Sequence, residues 1–365
     1  MKAKKIICAV LAAVIFLVLG AGCAYNPSVV MTVNDTEVTA GVYLFYQYSA
    51  AQEAYSLYLE NSGEEYLSSV AFIEGKDLEL EGVPVHDWID NKTQQLIKDH
   101  VFIENEFTRL DLSFTSSDKS YNDQICQYQW EQLASVLQKN GVNYDSFCIA
   151  AENSFKKSAV LKALYEKGGE REFSEEDYID YFLENYTRVD YLIFPTTNIV
   201  TGEPLSEEDL EKITELAQQM VDDANEFRGG LETAYFERYA EILELTGDAE
   251  TELSAEHFAT VAIIDTILNS TNTTLHEDFV AEVFEVEEED TEYKYFYDEE
   301  LSVIIAYRVL GLNEDDEYTT YEAVIRTALA EEPFEEYIKN ATASLTVDID
   351  KRAKKYYSIN NIRFS

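Results

Sequence analysis

The chain has 365 residues, with 71 acidic side chains against 27 basic ones and a formal charge of −44 at pH 7. Such a surface repels nucleic acid, anionic lipid heads and anionic wall polymers, which excludes a DNA- or RNA-binding role. Apolar residues make up 46%, with 26 Tyr and 19 Phe, so the chain is not disordered. Five prolines and fourteen glycines leave room for long helices.

Lys2, Lys4 and Lys5 precede an apolar run from Ile6 to Leu19, and Gly20-Ala21-Gly22 then lead into Cys23. A basic start, a short apolar run and small residues describe a secretory signal. The run is about 14 residues, short of the roughly 20 that cross a bilayer as a helix. The pattern resembles the lipobox of bacterial lipoproteins, in which the cysteine is lipidated and becomes the mature N-terminus. Gly20 stands where Leu more often sits, with Leu19 one position further back. The resemblance implies a signal peptide over 1–22, lipidation of Cys23, a tether over 23–28 and a place on the outer face of a bacterial cell membrane. A multiply acylated cysteine holds a domain there almost permanently. Cleavage removes three lysines and no acid, so the charge moves from −44 to −47. The remaining 343 residues suffice for two domains.

Val29 to Thr39 reads as a hairpin turning at Asn34-Asp35, two residues that tolerate left-handed geometry. From Ala40 to about Leu59, apolar and aromatic residues recur at helical spacing, including Val42, Phe45, Tyr46, Ala50, Ala54 and Leu57. Gly75 to Pro84 is a break. Val85 to Leu110 is a second long helix. Asp118 to Asn140 and Tyr144 to Lys167 form a helical pair around Gly141-Val142-Asn143. Lys167-Gly168-Gly169-Glu170 marks a boundary.

Cys8 leaves with the signal, and Cys126 and Cys148 remain in an oxidising compartment. In a symmetric hairpin about Val142 these two are offset by 10 residues, about 15 Å of helix. That exceeds disulfide reach, so two separate buried thiols are expected.

Ser174-Glu175-Glu176-Asp177 is a capping box for a helix to about Asn185, and Val189 to Phe194 is a buried strand. Ser206-Glu207-Glu208-Asp209 is a second capping box, opening an amphipathic helix. Phe236–Leu245 and Ser254–Leu268 are expected as helices, and Glu292–Tyr297 and Leu301–Leu310 as strands joined by a turn. The segment to 312 thus reads β-α-α-α-β-β after the Ser174 helix. Tyr318 to Leu345 returns to helix, with Pro333 as a point of interruption, and Lys351 to Arg363 is locally basic. Glu285 to Glu292 is an acidic run without calcium-loop spacing, most simply a solvated loop.

This order of elements resembles the SurA/PrsA-type foldases, extracytoplasmic chaperones that carry a parvulin-like prolyl isomerase domain. Val33-Asn34-Asp35-Thr36-Glu37-Val38-Thr39 is similar to their opening hairpin, with Asp35 in place of a Gly. Gly141 to Phe147 is similar to one of their helix starts, Arg188 to Phe194 to the first parvulin strand, and Phe236-x-x-Tyr239-Ala240 to a later helix of that domain. The resemblance implies a mostly helical α+β chain. A helical chaperone-like domain would span 29–170, completed by 316–365, and a parvulin-like α+β domain would span 172–312.

The departures bear on activity. Tyr191 stands where the family places a histidine in the first strand, and Val303 to Val309 holds no second one. The Gly-Gly-x-Leu-Gly loop is also missing. The fold without the activity is one reading. Hydroxyls of Tyr191 and Tyr307 acting at similar places is another. The helix from Ala40 holds Tyr43, Phe45, Tyr46, Tyr48, Tyr55 and Tyr58, too many for one core stripe. Packing of most of them against the returning C-terminal helix is one reading, and a peptide-binding groove lined by Tyr43, Phe45 and Tyr46 is the other.

His86, His100, His257 and His276 show no metal spacing, and no nucleotide or hydrolase motif is present. No cofactor is implied. The expected function is ATP-independent binding of unfolded or nascent secreted polypeptides near the membrane. An active isomerase with substituted residues, and a surface lipoprotein scaffold or binding module, are the alternatives.

Overall fold

The computed structural model describes residues 27–62, 66–75, 78–226, 230–286, 292–298, 303–312 and 317–365. The signal, Cys23 and most of the acidic run at 285–292 lie outside these residues. The chain is α+β and mostly helical, and it divides into two compact units. Unit 1 is Met1–Glu172 with Ala330–Ser365, and unit 2 is Phe173–Leu329.

Unit 1 begins with strands β1 (Val29–Val33) and β2 (Thr36–Thr39), with Asn34 at φ 50° in the turn. Helices α1 (Ala40–Ser62) and α2 (Ser69–Glu74) follow, then the short ladder β3 (Glu79–Leu80) and β4 (Val83–Pro84). The long helices are α3 (Val85–Arg109), α4 (Ser116–Leu137) and α5 (Tyr144–Tyr165). The aromatics of α1 divide among several partners. Tyr55 and Tyr58 meet Phe72 of α2, Tyr48 and Tyr55 meet Phe364, and Phe45 meets Phe147 of α5.

The two thiols of unit 1 correct the sequence reading. Cys126 and Cys148 form a disulfide, with Cα atoms 5.8 Å apart. Three contacts share one antiparallel register: Tyr121 with Phe155, the disulfide itself, and Trp130 with Tyr144 and Phe147. That register is centred near Leu137 and Gln138, not at Val142. Beyond a 3-10 turn at Gln138–Asn140, the chain reverses at Gly141 (φ 81°) and reaches Asn143 in extended conformation. Extended residues cover about 3.3 Å each against 1.5 Å in a helix, so a few of them carry α5 back alongside α4 before it starts. The symmetric-hairpin assumption failed on that connection.

Unit 2 opens with α6 (Glu175–Asn185), capped reciprocally by Ser174 and Asp177, and β5 (Tyr186–Phe194). Then come α7 (Glu207–Glu226), α8 (Gly230–Leu245), α9 (Ala255–Val261) and β6 (Ala262–Asn269). Helix α10 (Glu277–Glu285), β7 (Lys294–Asp298) and β8 (Val303–Leu310) complete the layer. The order after α6 is β-α-α-α-β-α-β-β, in a four-stranded antiparallel sheet β6-β5-β8-β7. The expected helix over Ser254–Leu268 therefore stops at Val261, and its second half is a strand. Ala262-Ile263-Ile264-Asp265-Thr266-Ile267 is rich in β-branched residues, and pairing with β5, distant in sequence, decides its state. A bulge at Ile264-Asp265 is fixed by Asp190, whose Oδ1 accepts from the Asp265 amide at 2.7 Å.

One face of this sheet packs Leu192, Phe194, Ile304 and Ala306 against α7, α8 and α9. The other packs Val189, Ile305, Tyr307 and Val309 against Phe279 and Val283 of α10. Helix α11 (Tyr318–Ala343) runs unbroken through Pro333. Its first turns belong to unit 2, where Ile325 and Tyr321 join Tyr178, Phe182 and Tyr186. The boundary thus falls inside the returning helix, because the aromatic face of α6 needs a cover. In unit 1, β9 (Val347–Ile349) adds to β1, giving the sheet β2-β1-β9, and α12 (Lys351–Tyr356) follows.

Candidate functional site

Among the described residues, the candidate sites lie in both units. In unit 2 the site is built on a cross-strand row, Ile263–Tyr191–Tyr307–Lys294, contributed by all four strands. Side chains directly opposite one another share a face, here the face carrying α10. Phe279 of α10 meets both tyrosine rings, at centroid distances of 6.2 Å to Tyr191 and 5.2 Å to Tyr307. Tyr307 is fully buried and its hydroxyl donates to Glu282 Oε1 at 2.6 Å. Tyr191 is half-buried, and burial raises its phenol pKa, so the hydroxyl stays protonated at neutral pH. Ile263 and Ile193 remain 40% and 42% exposed beside it.

The structure therefore brings Tyr191 and Tyr307 together, with the apolar Ile263 beyond Tyr191 and Lys294 beyond Tyr307. Phe279 meets both rings, and Ile263 and Ile193 form an apolar shelf beside Tyr191. Sequence reasoning missed Ile263, Phe279 and Glu282, because β6 and α10 were not foreseen. At the start of α10, His276, Asp278 and Asp298 offer ligand atoms within 4.8 Å of one another. His276 Nδ1 lies 3.9 Å from Asp278 and Nε2 lies 3.7 Å from Asp298. These groups suit a divalent cation by type, but Asp278 is largely exposed.

In unit 1 a groove of about 450 Å³ lies between α1, α4 and α5. Phe45, Tyr46 and Tyr48 come from α1, Tyr128, Leu133 and Leu137 from α4, and Phe147, Ala150 and Ala151 from α5. The polar members are Ser49, Gln52, Gln129, Gln132 and Ser154, and no lining residue is charged. Tyr128 and Leu133 are 63% and 38% exposed, so the groove is open to solvent along α4. Beneath it Tyr46 is held by its hydroxyl, 2.9 Å from His100 Nδ1. Asn153 donates to the His100 carbonyl at 3.1 Å and to Glu104 at 2.9 Å, and Lys156 bonds Glu104 at 2.7 Å. Burial lowers the His100 pKa, and the Lys156 charge adds to this while Glu104 opposes it.

Of the three residues expected to line a groove, Phe45 and Tyr46 do so. Tyr43 does not. It is 1% exposed in the core with Val30, Val33 and Val101, and desolvation pushes its phenol far above the usual range. Its ring points to the β-sheet side of α1, about 200° around the helix from Phe45, whereas Tyr46, one turn on, packs at the edge of the same core and reaches the groove.

No family model matches the chain, and no curated protein matches it. Among solved structures it is similar to the foldase protein PrsA from Streptococcus pneumoniae. That likeness is at 12% identity and TM-score 0.37, covering 78% of this chain and 100% of that one. It is also similar to the foldase protein PrsA from Lactococcus lactis, at 10% identity and TM-score 0.36, covering 92% and 99%.

Proposed function

We propose that the protein is a lipid-anchored extracytoplasmic chaperone that captures apolar segments of unfolded secreted polypeptides without ATP. The observation that carries this reading is the uncharged, solvent-open aromatic groove of unit 1. Exposed aromatic surface in a charged soluble chain marks a binding site. A lining of Tyr, Phe, Leu and amide side chains suits varied sequences, since it supplies contact area and adaptable hydrogen bonds without demanding a charge partner. The surrounding net charge keeps chaperone and captured clients apart from other copies.

In this reading unit 2 is a parvulin-like domain without isomerase activity. Support comes from the cross-strand row itself, Ile263–Tyr191–Tyr307–Lys294, which holds no histidine. Signal, tether and Cys23 supply the membrane anchor.

The test is suppression of aggregation of a reduced, unfolding client by the mature chain without ATP, read by light scattering. Scattering should fall at near-stoichiometric ratios, and the Tyr128→Asp/Leu133→Asp variant should lose most of the effect while its circular dichroism is unchanged. Undiminished scattering across clients refutes the chaperone reading. Turnover of Xaa-Pro peptides that disappears in Tyr191→Phe refutes the loss of isomerase activity.

A further inference from the structure

The charge is unevenly divided. Between Phe173 and Leu329 the sequence holds 41 acidic and 7 basic residues, so unit 2 carries −34 of the −44. Unit 1 retains 30 acidic and 20 basic residues, and its positive charge collects at α12. The sequence Lys351-Arg352-Ala353-Lys354-Lys355-Tyr356 folds as that short helix, capped by Asp350, which accepts from the amides of Arg352 and Ala353. Ala353 is fully buried and fixes the helix on unit 1. Lys354 is paired with Asp90. Lys351, Arg352 and Lys355 are exposed and form no ion pair among the described residues. Tyr356 is 48% exposed beside them. Three unpaired cations on one helix are notable where acids outnumber bases so heavily. Lys351, Arg352 and Lys355, with no acidic partner among the described residues, are available to an external one.

Its position names that partner. Asp350 donates its amide to the Val30 carbonyl at 3.0 Å, and the Tyr357 hydroxyl donates to the Pro27 carbonyl at 2.9 Å. Helix α12 therefore sits where the chain enters unit 1. Cys23 is four residues before Pro27, at most about 14 Å of chain. We infer that α12 docks on anionic lipid headgroups beside the acyl anchor, through Lys351, Arg352 and Lys355 with Tyr356 at the interface. This rests on the lipid-anchored reading and adds a second membrane contact, which orients unit 1. The global charge argument, which has the surface repelling anionic lipid, fails locally because attraction decays within a Debye length of about 8 Å and samples only nearby groups. Lys and Arg near an anionic surface, with Tyr at headgroup level, are the residues such a contact uses.

The experiment supplies the anchor chemically. The mature chain has Cys126 and Cys148 bridged, so the Cys23 thiol takes a single-chain maleimide lipid. One acyl chain alone gives marginal, reversible binding, which leaves the patch visible. Partitioning is measured on vesicles of phosphatidylcholine and of equal parts phosphatidylcholine and phosphatidylglycerol. The wild type should prefer the anionic vesicles. The Lys351→Gln/Arg352→Gln/Lys355→Gln variant should lose about fivefold per cation, about 100-fold in all, on anionic vesicles only. Its melting curve should match the wild type. In parallel, acylation of the Lys351 and Lys355 amines should slow on anionic vesicles, with exposed Lys119 of α4 unchanged. A wild type that prefers neutral vesicles overturns the proposal, as does a variant that binds equally well. Protection of these lysines by soluble polyglycerol phosphate and not by vesicles also overturns it, in favour of a wall polymer. An unmodified Cys23 in native membrane fractions, read by mass, overturns instead the anchored reading beneath it.

Discussion

Reducing the Cys126–Cys148 bridge should release one wall of the unit 1 groove. Helix α4 buries only Asn122, Cys126 and Leu137. Trp130 and Val136 are partly buried against the same core. All but Asn122 and Cys126 lie in its C-terminal half, so the bridge is the main fastening of the other half. The bridge spans 22 residues. Chain-entropy reasoning for a loop of that length gives about 3 kcal/mol at room temperature. Because α4 has few other anchors, the loss should appear first as local opening. Amide exchange over Ser116–Ile125 should accelerate by about 100-fold on reduction or in Cys126→Ser/Cys148→Ser, at 1.4 kcal/mol per decade. The urea midpoint of unit 1 should fall by about 1–2 M. Client capture should weaken in the same samples, since Tyr128 and Leu133 ride on α4. Superimposable urea curves together with unchanged α4 exchange would show that packing alone holds the helix, and would refute the reasoning.

In unit 2, Asp190 is 1% exposed and accepts from Arg308 at 2.6 and 2.8 Å, from Tyr293 at 3.3 Å and from the Asp265 amide at 2.7 Å. Asp190→Ala strands those donors and should cost about 3 kcal/mol, read by chemical denaturation, with Arg308→Leu in the same background recovering part of it. A loss below about 0.5 kcal/mol would mean the network is fully rehydrated. Tyr307→Phe removes the donor to Glu282 and should cost about 1 kcal/mol, with no change in the melt of Tyr191→Phe beyond a few tenths. For His100 the folded pKa lies below the usual 6.5 because burial disfavours the imidazolium. Its contribution is intact above 6.5 and is lost as pH falls through that value toward the lowered one, since only the unfolded chain takes up the proton. Wild type should therefore lose more melting temperature than His100→Asn between about pH 7.5 and 5.5. Parallel curves would show that folding leaves the His100 pKa unshifted.

Much of the architecture is written in local signals. The Asn34 turn, the Ser174 capping box and the long helical periodicities of unit 1 each involve residues a few positions apart, and the structure keeps them all. The same locality explains the misreadings. Ser254 to Leu268 opens like a helix, with Ser254 capping the His257 amide, and nothing inside that window announces the partner strand that takes over at Ala262. The register of α4 on α5 depends on how far an extended connection travels, which residue counting does not reveal. Tyr43, Phe45 and Tyr46 are alike as residues. Their division between core and groove follows from where the opening hairpin packs on α1.

Composition and short-range pattern were enough for a mostly helical α+β chain, for the opening hairpin and for the strand that carries Tyr191. Such features need only neighbours in sequence and the period of a helix or strand. Contacts across tens or hundreds of residues settled the rest: the disulfide, the Ile263–Tyr191–Tyr307 row, the uncharged groove, and the meeting of Pro27 with Tyr357 that puts a basic helix beside the chain's entry. Long-range pairing is selected by burial of whole faces at once, so it belongs to the assembled core and to no single segment.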